Sequence, residues 1–376
     1  MRFFIGLLMS IIVFVSSAQA SSLEDVWSEV HPLLSEAVSE LDLRGSVPDS
    51  SWNPLKADKG SVDNKINDLL DECIEILGIS GMSETKDAIR DLQNDSRYCR
   101  EKIAELKTER LAAPKEVKKW EIWKKDVAAI DDKIKELTIR EEENGKRVDN
   151  MIDVLLEEMR KIGMKVDREQ VETLVYSVTG DDDVRLVSVF NNVKLITAEL
   201  QRLTAEANEN IEMAKRYYGM HTLLLRILLN LYENYERKID DVYQIKIAEI
   251  IRKQEELIQR TLEKINSEPP KYRGIYKTNL AAQGLTVRTA KMYGQYLAKN
   301  RERIAGAREG ITHEYDVAFN TYETVQGAHS LIALMRNANA MLDRISELQT
   351  PDLMVFQNSE MKNEFIKLTN RLNSQD

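Results

Sequence analysis

The sequence predicts an all-α fold, built as an elongated bundle of long antiparallel coiled-coil-like helices. Apolar residues recur at alternating steps of three and four positions through most of the chain, which is the period of a helix with one buried face. Charged residues make up 31% of the 376 positions, while the helix breakers number only 15 Gly and 7 Pro. No segment alternates with the two-residue period of a strand. Helices with this pattern gain most of their stability by packing side by side.

The first twenty residues have the three parts of a secretory signal peptide. Arg2 is followed by an apolar run from Phe3 to Val15, and the segment ends in Ala18-Gln19-Ala20. The apolar run of about thirteen residues is shorter than the roughly 20 that a membrane span needs. We therefore expect cleavage after Ala20 and a periplasmic or secreted mature chain. An uncleaved membrane anchor is the competing interpretation.

Residues 21–114 are expected to form shorter helices around one loop. The start Ser21-Ser22-Leu23-Glu24 is typical of a capping box and predicts a first helix over about 22–43. Gly and Pro residues among Ser and Asp then predict a loop at 44–62. Helical periodicity returns over 63–77 and, after a turn at 78–81, continues to Pro114, which suits the first turn of the next helix.

Residues 115–376 are expected to form the elongated helical bundle. A helix over 115–162 precedes a short helix over 168–178. The run Gly180-Asp181-Asp182-Asp183 predicts a helix stop and a new N-cap, because it lacks the spaced oxygen ligands of a calcium loop. The periodicity then continues over about 183–266 and 285–348, which predicts a long hairpin turning at Pro269-Pro270. A short C-terminal helix is expected over 358–372.

Such a hairpin, folded near residue 275, would place residues 217–231 beside 319–333, the two most apolar stretches of the mature chain. We interpret the tyrosines and histidines of this region as an interaction or core-packing zone whose hydroxyl groups reach the rim of the bundle. His221 and His329 would face each other, but no Glu-x-x-His pair accompanies them, so packing is favoured over metal binding. The zone comprises Tyr217, Tyr218, His221, Tyr232, Tyr235, Tyr315, Tyr322 and His329.

The chain has two cysteines, Cys73 and Cys99. An oxidising export compartment makes them a candidate disulfide. The alternative is a pair of buried thiols, because a simple turn at 78–81 does not place these two positions opposite each other.

Charge and motifs restrict the classes of function. Without Arg2, 52 basic residues face 63 acidic ones, a net charge of −11. Such an acidic chain does not favour binding to nucleic acid or anionic lipid unless its basic residues are gathered in one patch. No such patch is evident in the sequence. We found no nucleophile elbow, phosphate-binding Gly loop, His-Glu-x-x-His or Cys-x-x-Cys pattern. We therefore expect no enzymatic activity, no cofactor and no metal.

The leading hypothesis is a non-enzymatic exported scaffold or adaptor that binds other proteins of the cell envelope and self-associates through its long helices. The alternative is a secreted α-helical pore-forming toxin subunit. Contact with a membrane is expected only under that alternative.

Overall fold

The computed structural model describes residues 23–50, 56–113, 127–206, 211–327 and 359–373. Within these ranges the chain is helical and contains no strand, so the all-α prediction is confirmed for them. The helices are α1 (Leu23–Arg44), α2 (Lys59–Gly78), α3 (Gly81–Ala112), α4 (Val127–Lys161), α5 (Arg168–Tyr176), α6 (Gly180–Glu206), α7 (Ile211–Lys238), α8 (Gln244–Ser267), α9 (Arg273–Gly327) and α10 (Ser359–Asn373). A π-helical turn, Ile239–Tyr243, joins α7 to α8.

The N-terminal helices agree closely with the sequence. α1 ends one residue later than predicted, and α2 begins four residues earlier because Asp58 forms a capping box with Ser61. A bond of 2.8 Å from Arg44 Nε to Asp63 Oδ1 joins the two helices next to the loop. Residues 51–55 of the predicted loop lie outside the described residues.

α3 and α4 form an antiparallel hairpin. Arg110 Nε lies 2.5 Å from Asp131 Oδ1, and Arg100 Nη1 lies 3.0 Å from Glu141 Oε1, so later residues of α3 meet earlier residues of α4. The predicted helix over 115–162 is confirmed from Val127 to Lys161. Its first turns and Pro114 lie outside the described residues.

The single helix predicted over 183–266 is wrong. The chain reverses between Glu206 and Ile211, and the start of α6 packs beside the end of α7, where Lys238 Nζ lies 2.9 Å from Asp182 Oδ1. The periodicity persists through the reversal because two packed helices have the same three-four spacing as one continuous helix. The residues 206–210, Glu-Ala-Asn-Glu-Asn, contain no Gly or Pro that marks the break.

The hairpin of α8 and α9 is present, but two of its predicted details are wrong. The predicted second arm begins at residue 285, whereas α9 already begins at Arg273. The register also differs: Arg301 Nε lies 2.9 Å from Asp240 Oδ2, where the predicted register would place Arg301 near residue 249. The earlier start of α9 moves the turn toward the N-terminus and shifts the pairing with it.

The buried apolar side chains form three clusters. The largest joins α1, α2, α6, α7, α8, α9 and α10. The second joins the first half of α3, the second half of α4, α5 and α6, and the third consists of α3 and α4 alone. α8 and α9 between about residues 251 and 286 contribute one buried side chain, Thr261. Both hairpins therefore extend beyond the main core. Across the described ranges, no helix is apolar enough over a sufficient length to cross a membrane.

Candidate functional site at the start of α6

The three consecutive aspartates that open α6 each contact a different part of the fold. We call Asp181, Asp182 and Asp183 the aspartate junction. The sequence predicted helix capping here, and the three carboxylates do lie in the first turn of α6, where the positive end of the helix dipole favours negative charge. Most of their partners lie on other helices and were not predicted, because long-range pairing leaves no local pattern in the sequence.

Asp181 holds the base of the α3/α4 hairpin. Its carboxylate lies 3.0 Å from Lys86 Nζ and 2.9 Å from Arg90 Nη1, both on the first turns of α3. Burial acts to raise the pKa of Asp181, but Lys86 and Arg90 outweigh it and hold that pKa below its usual value. Lys86 is only 6% exposed, and this carboxylate is its ion-pair partner.

Asp182 holds the base of the α8/α9 hairpin. Its carboxylate lies 2.9 Å from Lys238 Nζ and accepts a hydrogen bond of 2.9 Å from the Tyr243 hydroxyl. The two partners stand at either end of the π-helical turn Ile239–Tyr243. A π-turn inserts a residue into the helix and rotates the side chains that follow it, and such turns are frequent at functional sites. Here Lys238 and Tyr243, one at each end of the π-turn, both contact the carboxylate of Asp182.

Asp183 lies inside the core and completes the junction. It accepts hydrogen bonds from the Tyr235 hydroxyl and, at 2.9 Å, from Thr179 Oγ1. Asn300 Nδ2 donates to the Tyr235 hydroxyl at 2.8 Å, which extends the network to α9. Burial raises the pKa of Asp183 to about 6, although the hydrogen bonds from Tyr235 and Thr179 act to lower it. The network thus links α6, α7 and α9.

Tyr293 of α9 joins the same region to the C-terminal helix. Its ring stacks on Phe365 with centroids 3.8 Å apart, and its hydroxyl lies 3.1 Å from Thr369 Oγ1. The Val178 amide, in the turn before α6, donates to the Tyr293 hydroxyl at 2.6 Å. One fully buried side chain therefore ties α10 and the α5–α6 turn to α9.

The described members of the tyrosine and histidine zone lie in or against the main core. Tyr218, His221, Tyr232, Tyr235 and Tyr322 are buried, while Tyr217 and Tyr315 are half-buried. The expectation that the hydroxyls reach the rim is wrong for Tyr218 and Tyr232, whose buried hydroxyls have no hydrogen-bond partner among the described residues.

His329, the predicted partner of His221, lies outside the described residues. His221 itself is buried, and its Nδ1 atom has no hydrogen-bond partner in the described part of the chain. Burial lowers the pKa of His221 to about 4.

The predicted disulfide between Cys73 and Cys99 is absent, because both residues are buried free thiols. Cys73 belongs to the main cluster, whereas Cys99 belongs to the small cluster formed by α3 and α4 alone. α2 packs against α1, α6 and α7, whereas α3 packs mainly against α4, so the two cysteines lie in separate parts of the structure. The alternative of two buried thiols is the arrangement observed. Burial also raises the pKa of Cys73 to about 12, which disfavours the reactive thiolate.

The cavities in the described part of the protein are lined by side chains of both charges. One of about 230 Å³ lies between α3, the α5–α6 turn and α10, and its lining includes Arg90, Arg97 and Asp181. A groove of about 640 Å³ between α1, α7 and α9 carries Asp42 and Glu212 beside Arg216. Among the described residues, no group of three or more His, Cys, Asp or Glu side chains is arranged to hold a metal ion.

Apolar side chains are exposed on both hairpins. Leu111 of α3 is 86% exposed, and Tyr98 and Ile139 are also exposed on the same hairpin. On the α8/α9 hairpin, Ile245 and Ile275 are each about 60% exposed. The aspartate junction thus lies at the bases of two hairpins that present apolar side chains to solvent.

No known protein family, characterised protein or solved structure matches the chain.

Two of the buried titratable groups, His221 and Asp183, give a prediction for the pH dependence of stability. The pKa of His221 falls from 6.5 to about 4 on folding, so its contribution to stability is complete above pH 6.5 and is lost as the pH falls toward 4. The pKa of Asp183 rises from 3.8 to about 6, so its contribution is complete below pH 3.8 and is lost as the pH rises through 6. Between pH 7 and 4.5 the two effects oppose each other, each by about 2 kcal/mol.

Urea unfolding followed by circular dichroism across this pH range separates the two groups. Relative to the unmodified chain, we expect His221→Gln to gain stability on acidification, because only the Asp183 effect remains. Asp183→Asn should instead lose stability on acidification. If stability changes with pH in the same way in all three proteins, neither group titrates as described.

Proposed function

We propose that this chain is an exported, non-enzymatic scaffold that binds other envelope proteins through its two helical hairpins. In this proposal the mature chain begins after Ala20 and forms an elongated bundle of antiparallel, coiled-coil-like helices. The N-terminal helices of residues 21–114 and the bundle of residues 115–376 act together. Self-association through the same helices is part of the proposal.

The observation that carries the proposal is the pair of hairpins whose bases meet at the aspartate junction. A scaffold must hold separate binding surfaces in a fixed relation, and the junction supplies ion pairs to both bases: Asp181 with Lys86, and Asp182 with Lys238. Apolar patches rimmed by polar residues are typical of protein-binding sites. In the proposal, Leu111, Tyr98 and Ile139, each exposed on the α3/α4 hairpin, are apolar contacts for a partner.

Site-specific photocrosslinking in the source cells tests the proposal. A photoreactive amino acid at Tyr98 or Ile139 should give discrete adducts with envelope proteins, identified by mass spectrometry. The same amino acid at Glu72, an exposed position on α2, is the matched control and should give few or none. Absence of adducts from every hairpin position in cells that contain the full-length protein would contradict binding through the hairpins.

Three further measurements test export, separate this proposal from the pore-forming alternative and test self-association. The mass of the protein recovered from the cell envelope should correspond to a chain that begins at Ser21. Purified protein should leave dye-loaded lipid vesicles intact, whereas release of the dye would favour the toxin subunit. Sedimentation at rising protein concentration should reveal self-association.

A further inference from the structure

Basic side chains are segregated at the end of the α8/α9 hairpin. We call residues 260–277 the hairpin tip. It contains five basic residues, Arg260, Lys264, Lys271, Arg273 and Lys277, against the two acidic residues Glu263 and Glu268. The chain as a whole carries a net charge of −10, so the tip has the opposite sign. The expectation that no basic patch is segregated is therefore wrong: the five basic residues lie within 18 consecutive positions, and the acidic composition of the whole chain hides this local excess.

Most of these basic groups have no acidic ion-pair partner among the described residues. Lys264 lies 3.9 Å from Glu268, whereas Arg260, Lys271, Arg273 and Lys277 form no ion pair with any described residue. All four are exposed. In contrast, the shaft of the hairpin is electrically balanced by pairs such as Arg252 with Glu256. The positive potential is thus concentrated at the end of the hairpin.

Apolar and aromatic side chains lie among the cations. Ile275 is 60% exposed and Tyr272 is 40% exposed, and Leu262 is exposed beside them. Lys271 Nζ lies 4.7 Å from the centroid of the Tyr272 ring. Tyrosine rings flanked by Lys and Arg are characteristic of the boundary between water and lipid, where the ring meets the headgroups and the cation meets the phosphate.

The length of the hairpin separates the tip from the acidic body of the protein. The last main-core residues on the two helices are Ile250 and Ala290. From there to the end of each helix the hairpin extends about 25 Å at 1.5 Å per residue. The screening length at physiological ionic strength is about 8 Å, so the negative charge of the body has little effect at the tip.

We propose that the hairpin tip docks this protein onto the surface of an anionic lipid bilayer. The end of a two-helix hairpin covers only a few hundred Å², given helix diameters of about 10 Å. This is well below the roughly 800 Å² that each partner buries in a standard protein interface. A fluid anionic surface requires no matching shape, and it attracts basic residues and accepts exposed Ile and Tyr side chains together. The proposal is independent of the scaffold function.

Sedimentation with vesicles tests the proposal, using the chain from Ser21 onward so that the apolar N-terminal segment does not contribute. The protein should bind vesicles of phosphatidylcholine mixed with phosphatidylglycerol, should bind pure phosphatidylcholine weakly, and should be released by high salt. The triple variant Lys271→Glu, Arg273→Glu, Lys277→Glu should bind the anionic vesicles about a hundredfold more weakly, since each basic residue near such a surface contributes about a fivefold gain. Ile275→Ser should weaken binding several-fold.

A matched triple variant controls for total charge. Lys107→Glu, Lys135→Glu and Lys146→Glu make the same change on exposed positions of the α3/α4 hairpin and should leave vesicle binding unchanged. Failure of the unmodified chain to bind anionic vesicles would overturn the proposal. Equal binding by the tip variant and the unmodified chain would also overturn it. That result would favour an acidic protein surface as the partner of the basic tip.

A fluorescent label reports the docking position directly. An added Cβ at Gly274 or at Gly145 meets no atom within 4 Å, and the native thiols are buried. An environment-sensitive dye on Gly274→Cys should shift to the blue with anionic vesicles, and the same dye on Gly145→Cys should not. A shift at Gly145→Cys alone would contradict docking through the tip.

Discussion

Tyr293→Ala is expected to lower the free energy of unfolding by about 3–5 kcal/mol, the range for removing a large buried aromatic side chain. The ring is fully buried and stacks on Phe365 at 3.8 Å. Its removal leaves a cavity and also frees the Val178 amide, which donates to the Tyr293 hydroxyl at 2.6 Å. Because the contact joins α10 to α9, we expect α10 to exchange its amide hydrogens faster as well.

Two control variants divide this effect into its parts. Tyr293→Phe retains the stacked ring but leaves the Val178 amide unpaired, and should cost about 1–3 kcal/mol. Tyr272→Ala removes the same side chain type at a position that is 40% exposed, and should change stability by less than about 0.5 kcal/mol. Chemical denaturation with hydrogen exchange measures all three. Equal losses in Tyr293→Ala and Tyr272→Ala would contradict the role given to Tyr293.

Asp181→Ala is expected to lower the free energy of unfolding by about 2–4 kcal/mol, slightly below the range for breaking a fully buried ion pair. The side chain of Lys86 is 7% exposed and that of Asp181 is 54% exposed, so the substitution mainly leaves a buried cation without its counterion. The exposed side of Asp181 moderates the effect, because solvent screens part of the attraction.

A double-mutant cycle isolates the pair. Lys86→Met keeps a similar side-chain volume without the charge, so Lys86→Met combined with Asp181→Ala should restore most of the stability lost in Asp181→Ala alone. Arg90 retains Asp87, 2.5 Å away, and should contribute little to the difference. If the losses of the two single variants simply add in the double variant, Lys86 and Asp181 do not form the coupled pair described here.

The elements that could be predicted from the sequence are those with local markers. The loop after α1 contains Gly45 and Pro48, and α5 follows a capping Asp167. The reversal between α6 and α7 has no such marker, because the spacing of apolar residues is the same in one long helix and in two packed ones. Local patterns therefore locate helices better than they locate the turns between periodic segments.

The candidate site could be predicted only in part, for a related reason. The three aspartates stand out in the sequence as a helix start, and they do begin α6. Lys86, Lys238 and Tyr235, which give the junction its function in the fold, lie far away along the chain and follow no motif. The basic hairpin tip was missed because its local excess of positive charge is small beside the acidic composition of the whole chain. The sequence also does not show that this end of the hairpin extends away from the acidic body.

The central claim is that the aspartate junction holds the two hairpins in a fixed relation. Pulsed electron paramagnetic resonance tests it most directly, with spin labels at Gly145→Cys on α4 and Gly274→Cys on α9, where an added side chain meets open space. The account predicts one narrow distribution of distances between the labels, which broadens when Asp181 and Asp182 are both replaced by Ala. A broad distribution in the otherwise unmodified chain, or one that the two replacements leave unchanged, would contradict it.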